Sequence, residues 1–171
     1  GAERRAAGTV GWGCPRVPGD AGAAEGARLA ATVRQMGPLT TGSLGTPYLT
    51  NSLSTTGHRA ESYQLLINRK YPSWLYPITQ GATTIWERWD GQKPDSSFQE
   101  ISMNSFNHYA YGAIGDWMVR VVAGLDLDEA SPGYKYLVIH PQPGGGLTSA
   151  RAELMTQYGS AASGWQLVGG M

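Results

Sequence analysis

The sequence predicts a mainly helical chain that turns to β structure near its end. Two observations carry this. Apolar residues recur at helical spacing from about Glu25 to Val122, whereas after Asp126 the runs become short and alternating. A turn signal at Tyr158-Gly159 then separates two strand-like runs. Helices that precede strands, rather than alternate with them, indicate two successive units. The expected organisation is a disordered or non-native segment over residues 1–24, a helical unit over 25–126 and a β unit over 134–171.

The elements follow in order. Residues 1–24 are rich in Gly, Ala, Arg and Pro and show neither period. Leu29, Val33 and Met36 lie on one helical face that Gly37-Pro38 stops. After the loop 39–45, Thr46-Pro47 reads as an N-cap with a first-turn proline, and Leu49 and Leu53 continue that helix. Gly57 links it to a second helix with Ala60, Tyr63, Leu66 and Ile67 on its expected face, giving a helical hairpin. Residues 71–81 read as a Pro- and aromatic-rich loop with an extended piece at Trp74-Leu75-Tyr76, and residues 83–89 as the start of a short helix. A polar loop over 90–102 is long enough to carry a functional role. Residues 104–124 are expected to be the longest helix, with Gly112 and Gly115 inside it for close packing. Residues 134–140, 147–157 and 160–167 read as strands.

Composition excludes several classes. Lys+Arg 13 balances Asp+Glu 13, so the basic excess of a nucleic-acid binder is missing. Six Trp and nine Tyr are unlike a disordered polar tail. One Cys rules out an internal disulfide framework. No apolar run reaches the roughly 18 residues of a membrane span, and no secretory leader pattern is seen. No membrane partner is therefore expected; the compartment stays open, with a slight lean to the cytoplasm. The start at Gly1 and the stop at Gly169-Gly170-Met171 read as those of a piece of a longer protein.

Chemistry concentrates in two stretches. In the stretch 81–91, Glu87 stands between Trp86 and Trp89 with Arg88 beside it. Indole faces stack on the C–H faces of sugar rings, and a carboxylate supplies acid or base. Thr84-Ile85-Trp86-Glu87 also matches a capping box, in which Glu87 would only satisfy a helix start. The second stretch, 103–112, gathers Asn104, Asn107, His108 and Tyr109, able to bond several hydroxyls at once. Its other reading is Asn104 as a helix cap and His108 as a half-buried helical histidine. His58 and His140 stand apart, and no metal-ligand spacing, phosphate loop or Gly-x-Ser-x-Gly elbow occurs. No metal or cofactor is expected.

Five blocks in order give a resemblance. They are Leu39-Thr40-Thr41-Gly42-Ser43-Leu44-Gly45-Thr46-Pro47-Tyr48-Leu49, Tyr71-Pro72-Ser73-Trp74, the stretch 81–89, the stretch 103–112 and the stretch 139–150. Together they resemble the bacterial α-L-rhamnosidases, inverting glycoside hydrolases, over about residues 27–167. Ser43 departs from the pattern, since the family usually carries a bulky aromatic there. The resemblance implies the last helices of an (α/α)6 six-hairpin barrel followed by an incomplete antiparallel β-sandwich. It implies Glu87 as general base, His108 as a rhamnose contact and Trp86 as part of the sugar-binding wall. Rhamnose-containing glycosides are the implied partners. The general acid of the family lies in a motif upstream of the matched region, so it is expected outside this chain. The isolated chain is then expected to be inactive and at best marginally folded. Two other readings are a non-catalytic carbohydrate-binding or interaction module, and an (α/α)6 glycosidase of other sugar specificity.

Overall fold

The structure, a computed structural model, describes residues 20–37 and 39–169. Helix α1 (Asp20–Met36) is Ala-rich and buries Ala30 and Val33. Gly37, at φ +70°, ends it where the sequence predicts a stop. The helix begins before the expected boundary, so residues 20–24 are helical rather than disordered. The remainder of that expected segment, residues 1–19, lies outside the described residues.

Helices α2 (Thr46–Thr55) and α3 (Arg59–Ile67) form the expected hairpin about Gly57, at φ +88°. Gly45, not Thr46, takes the N-cap position of α2. Thr46 sits inside the helix, 1% exposed, with its hydroxyl 2.9 Å from the Gly42 carbonyl. Ser43, the departure from the family pattern, is exposed in the preceding turn. Leu49 and Leu53 are buried as predicted. The face of α3 differs from expectation. Ala60 and Ile67 are exposed, while Glu61, Ser62, Tyr63 and Leu65 are buried. The buried polar residues have partners, which makes their burial tolerable. Arg34 Nε lies 2.7 Å from Glu61, and the Ser62 hydroxyl donates to the Thr50 carbonyl at 3.0 Å.

Helix α4 (Leu75–Thr79) replaces the expected extended piece, and the buried Ser73 hydroxyl accepts the Tyr76 N–H at 3.0 Å in its first turn. The expected long helix from 104 is shorter. Residues 104–109 are irregular, and the helical run covers 110–122. It opens as a 3₁₀ turn (Ala110–Ala113), is α-helical over Ile114–Trp117 (α5) and widens to a π turn over Met118–Val122. Gly112 and Gly115 are not close-packing sites. A Cβ on Gly115 would meet nothing within 4 Å, and one on Gly112 only the Ile85 side chain at 3.6 Å.

Gly124 turns the chain out of the helical run. Its φ is +73°, and a Cβ there would sit 2.0 Å from the Pro141 nitrogen, so only glycine fits. Strand β1 (Leu125–Leu127) pairs antiparallel with β2 (Leu137–Ile139), Leu125 opposite Ile139. Strand β1 has no counterpart among the expected elements and straddles the expected end of the helical unit at residue 126. Strands β3 (Ser149–Thr156) and β4 (Gly159–Gln166) form the predicted hairpin. Thr156 pairs with Gly159, so Gln157-Tyr158 make the turn, one residue earlier than expected.

One core joins these parts. Trp117 is fully buried, stands edge-on to Tyr63 at 5.1 Å and donates its indole N–H to Ser54 at 2.8 Å. The β strands are fastened to the helical run by side chains. The Ser163 hydroxyl donates to the Ala123 carbonyl and the Trp165 indole to the Val122 carbonyl, each at 2.7 Å. The Tyr63 hydroxyl donates to the Gln142 carbonyl at 2.5 Å.

Candidate active site

The two chemistry-bearing stretches lie side by side. Residues 83–89 do not form a helix, so Glu87 has no helix start to cap and the capping-box reading falls. Instead the segment is zipped to residues 104–108. The Glu87 N–H donates to the Ser105 carbonyl at 2.8 Å, and the His108 N–H donates to the Ile85 carbonyl at 2.8 Å. The Thr84 hydroxyl donates to the Phe106 carbonyl. The same competition unwinds the expected helix start at Asn104, because these main-chain groups have partners outside any helix.

Glu87 is half-buried, and its Oε2 accepts the Ser105 N–H at 2.8 Å. A main-chain donor of this kind fixes the carboxylate while leaving Oε1 available. His108 is also half-buried. Its Nδ1 accepts the Ala110 N–H at 3.3 Å, which leaves Nε2 as the N–H donor of the neutral ring. The Tyr109 ring, 88% exposed, stacks on His108 at 5.3 Å.

Trp86 is placed differently from an open sugar platform. It is 6% exposed and meets the Phe106 ring edge-on at 5.0 Å. Trp89 is likewise buried, stacked on Tyr111 at 3.6 Å and edge-on to Trp74 at 5.6 Å. The Trp74 indole donates to the Tyr111 carbonyl at 2.8 Å. These rings tie the Glu87 segment into the hydrophobic core.

The polar rim is made by Arg88 and Asp90, 3.8 Å apart, with Gln99 donating to Asp90 at 2.5 Å. Burial pushes the Tyr71, Tyr76 and Tyr111 hydroxyls above their ordinary range, and the Asp90 charge adds to it. All three remain protonated donors at neutral pH. Asn104 donates through Nδ2 to the Gly91 carbonyl at 3.0 Å. Its Oδ1 and the Trp89 indole nitrogen are buried without a partner among the described residues.

The sequence puts Trp86 and Glu87 in one block and His108 in another, and the structure brings the two blocks together. Sequence reasoning missed the Ser105 amide, which as a main-chain group leaves no mark in composition. Of the two readings of Asn104, the helix cap falls, since its side chain bonds the Gly91 carbonyl instead. Among the described residues no group of His, Cys, Asp or Glu is placed to hold a metal ion, and no helix is long and apolar enough to cross a membrane.

Residues 16–122 match the family described as the bacterial alpha-L-rhamnosidase 6 hairpin glycosidase domain, and residues 124–171 match the bacterial alpha-L-rhamnosidase C-terminal domain. An α-L-rhamnosidase of Streptomyces avermitilis is 52% identical over 128 residues, 75% of this chain and 12% of the relative. One of Formosa agariphila is 51% identical over 129 residues, 75% of this chain and 14% of the relative. The chain thus spans about an eighth of the length of these relatives.

Among solved structures, the Streptomyces avermitilis α-L-rhamnosidase complexed with L-rhamnose superposes with a TM-score of 0.80 at 47% identity. That match covers 85% of this chain and 14% of the other. The native enzyme from Aspergillus terreus gives 0.81 at 38% identity, covering 86% and 17%. The helices followed by antiparallel strands are therefore those of a six-hairpin glycosidase domain and the C-terminal domain after it, and the chain belongs to the bacterial α-L-rhamnosidase family.

Proposed function

We propose that this chain supplies one wall of the active site of an α-L-rhamnosidase that hydrolyses terminal α-L-rhamnosyl bonds with inversion. Glu87 is the general base, His108 donates from Nε2 to a rhamnose hydroxyl, and Trp86 backs the site as a positioning residue. The general acid comes from a part of the whole protein outside these 171 residues. In single displacement the acid protonates the leaving oxygen while the base takes a proton from water on the opposite face of the ring. The two carboxyls then stand roughly 6.5–9.5 Å apart to admit that water.

The observation that carries the reading is the Ser105 N–H held on Glu87 Oε2, which leaves the other oxygen free to take the proton. A relative solved with L-rhamnose supports the sugar class. The test is Glu87→Gln in the full-length protein, assayed with an aryl α-L-rhamnoside. Loss of a positioned base lowers the rate by about 10²–10⁴. Activity within a few-fold of wild type would remove Glu87 from the mechanism.

A further inference from the structure

Glu87 is held on both sides, and the two holds differ in kind. On its N-terminal side, the Thr84 hydroxyl and the His108 N–H tie residues 84–85 to residues 106–108. On its C-terminal side, among the described residues, the Asn104 side chain bonds the Gly91 carbonyl at 3.0 Å. Between them lies the paired exchange of Glu87 with Ser105. The Glu87 N–H donates to the Ser105 carbonyl, and the Ser105 N–H donates to Glu87 Oε2, both at 2.8 Å. The donor that orients the carboxylate belongs to the residue directly after Asn104.

We infer that Asn104 is a positioning residue for Glu87: its amide locks the 86–91 turn to the 104–108 segment, keeping the Ser105 N–H aimed at the Glu87 carboxylate. The inference rests on the reading of Glu87 as the base. The fit around Asn104 is tight. A Cβ on Gly91 would sit 2.9 Å from Asn104 Oδ1, 3.2 Å from the Trp86 ring and 3.3 Å from the Phe106 ring. Gly91 is buried and leaves just enough room for the amide. Among the described residues Asn104 Oδ1 is itself buried without a partner, a cost that a smaller side chain would avoid. What asparagine supplies, and alanine or serine lacks, is a donor with the reach to Gly91. Small displacements of a catalytic group matter: about 1 Å can cost on the order of 10² in rate.

The test is a double-mutant cycle in the full-length protein with an aryl α-L-rhamnoside: Asn104→Asp, Glu87→Gln and both together. Aspartate keeps the shape but carries no donor for the Gly91 carbonyl when ionised. Asn104→Asp is expected to lower kcat about 10–10²-fold with KM changed less than about threefold. In the Glu87→Gln background the same change is expected to cost less than about twofold, because no base remains to be aimed. Gly91→Ala pushes on the same contact from the other side and is expected to give the same kcat-selective loss.

Wild-type kcat in both Asn104→Asp and Gly91→Ala overturns the inference while Glu87→Gln still reports on the base. So does a loss that is undiminished in the Glu87→Gln background, or one confined to KM. If Glu87→Gln itself stays active, the base reading fails first and the inference falls with it. Should Asn104→Asp fail to fold, Gly91→Ala paired with Glu87→Gln gives the same cycle and decides alone.

Discussion

Replacing Tyr63 probes how the β strands are held to the helices. The ring is 2% exposed, edge-on to Trp117 at 5.1 Å, and its hydroxyl donates to the Gln142 carbonyl at 2.5 Å. The ring also lies against Gly144 and Gly145, where a Cβ on either glycine would come within 2.5 Å of a ring carbon. Tyr63→Phe keeps all the packing and deletes one hydrogen bond, a loss of about 1 kcal/mol. Half-buried Gln142 can recruit water in its place. Tyr63→Leu loses that bond and the aromatic pair, about 1 kcal/mol more, together with part of the ring volume. Tyr63→Ala empties the site and costs about 3–5 kcal/mol from packing alone.

Hydrogen exchange of the full-length protein reads these values locally, since each 1.4 kcal/mol is about tenfold in an opening constant. Amides within residues 137–147 should exchange about fivefold faster in Tyr63→Phe and at least about 10²-fold faster in Tyr63→Ala. The reasoning is refuted if Tyr63→Phe is as damaging as Tyr63→Ala, or if Tyr63→Ala leaves this segment protected.

Two further outcomes concern the site and the helices. His108→Ala should raise KM for an aryl rhamnoside about 5–150-fold, the cost of leaving a sugar hydroxyl unpaired at about 1–3 kcal/mol. Unchanged rhamnose affinity by calorimetry with a lower Tm would instead make His108 a packing residue. Burial alone would raise the Glu61 carboxyl, but the Arg34 hydrogen bond and charge hold it below the ordinary carboxylate range. The stabilisation is therefore present above about pH 4 and lost as pH falls through the lower folded value. Because Arg34 is half exposed, it amounts to about 1 kcal/mol or less. Protection factors of the α1 amides, which divide out the intrinsic pH dependence of exchange, should fall on acidification in the native protein, and Arg34→Gln should flatten that dependence.

The succession of helices and strands was legible because it rests on periodicity, as was the α2–α3 hairpin, where Thr46-Pro47 and Gly57 punctuate the chain. What escaped was set by partners distant in sequence. The Thr84–Glu87 pattern is a capping box by local chemistry, yet Ser105 and His108 take the main-chain bonds that a helix there would need. The face of α3 was misassigned because hydrophobicity alone cannot see that Arg34 and Thr50 await Glu61 and Ser62. The stretch 104–109 carries a helical period, but Asn104 and His108 are committed across the gap to Gly91 and Ile85. In the candidate site, side-chain types were readable, whereas the Ser105 amide and the burial of Trp86 were not.

The fastening at the end of the helical run bears on how such proteins are inherited. The last carbonyls of that run, at Val122 and Ala123, receive their donors from Trp165 and Ser163 of the following unit. Recombination that grafted a foreign sandwich after residue 123 would strand two acceptors in a dry seam and leave Gly124 without the Pro141 turn that its backbone accommodates. The two units behave as separable modules in comparisons of sequence, but their seam is a lock shared between them. Exchange of one unit between lineages is therefore expected to succeed only when the tryptophan, the serine and the glycine travel together.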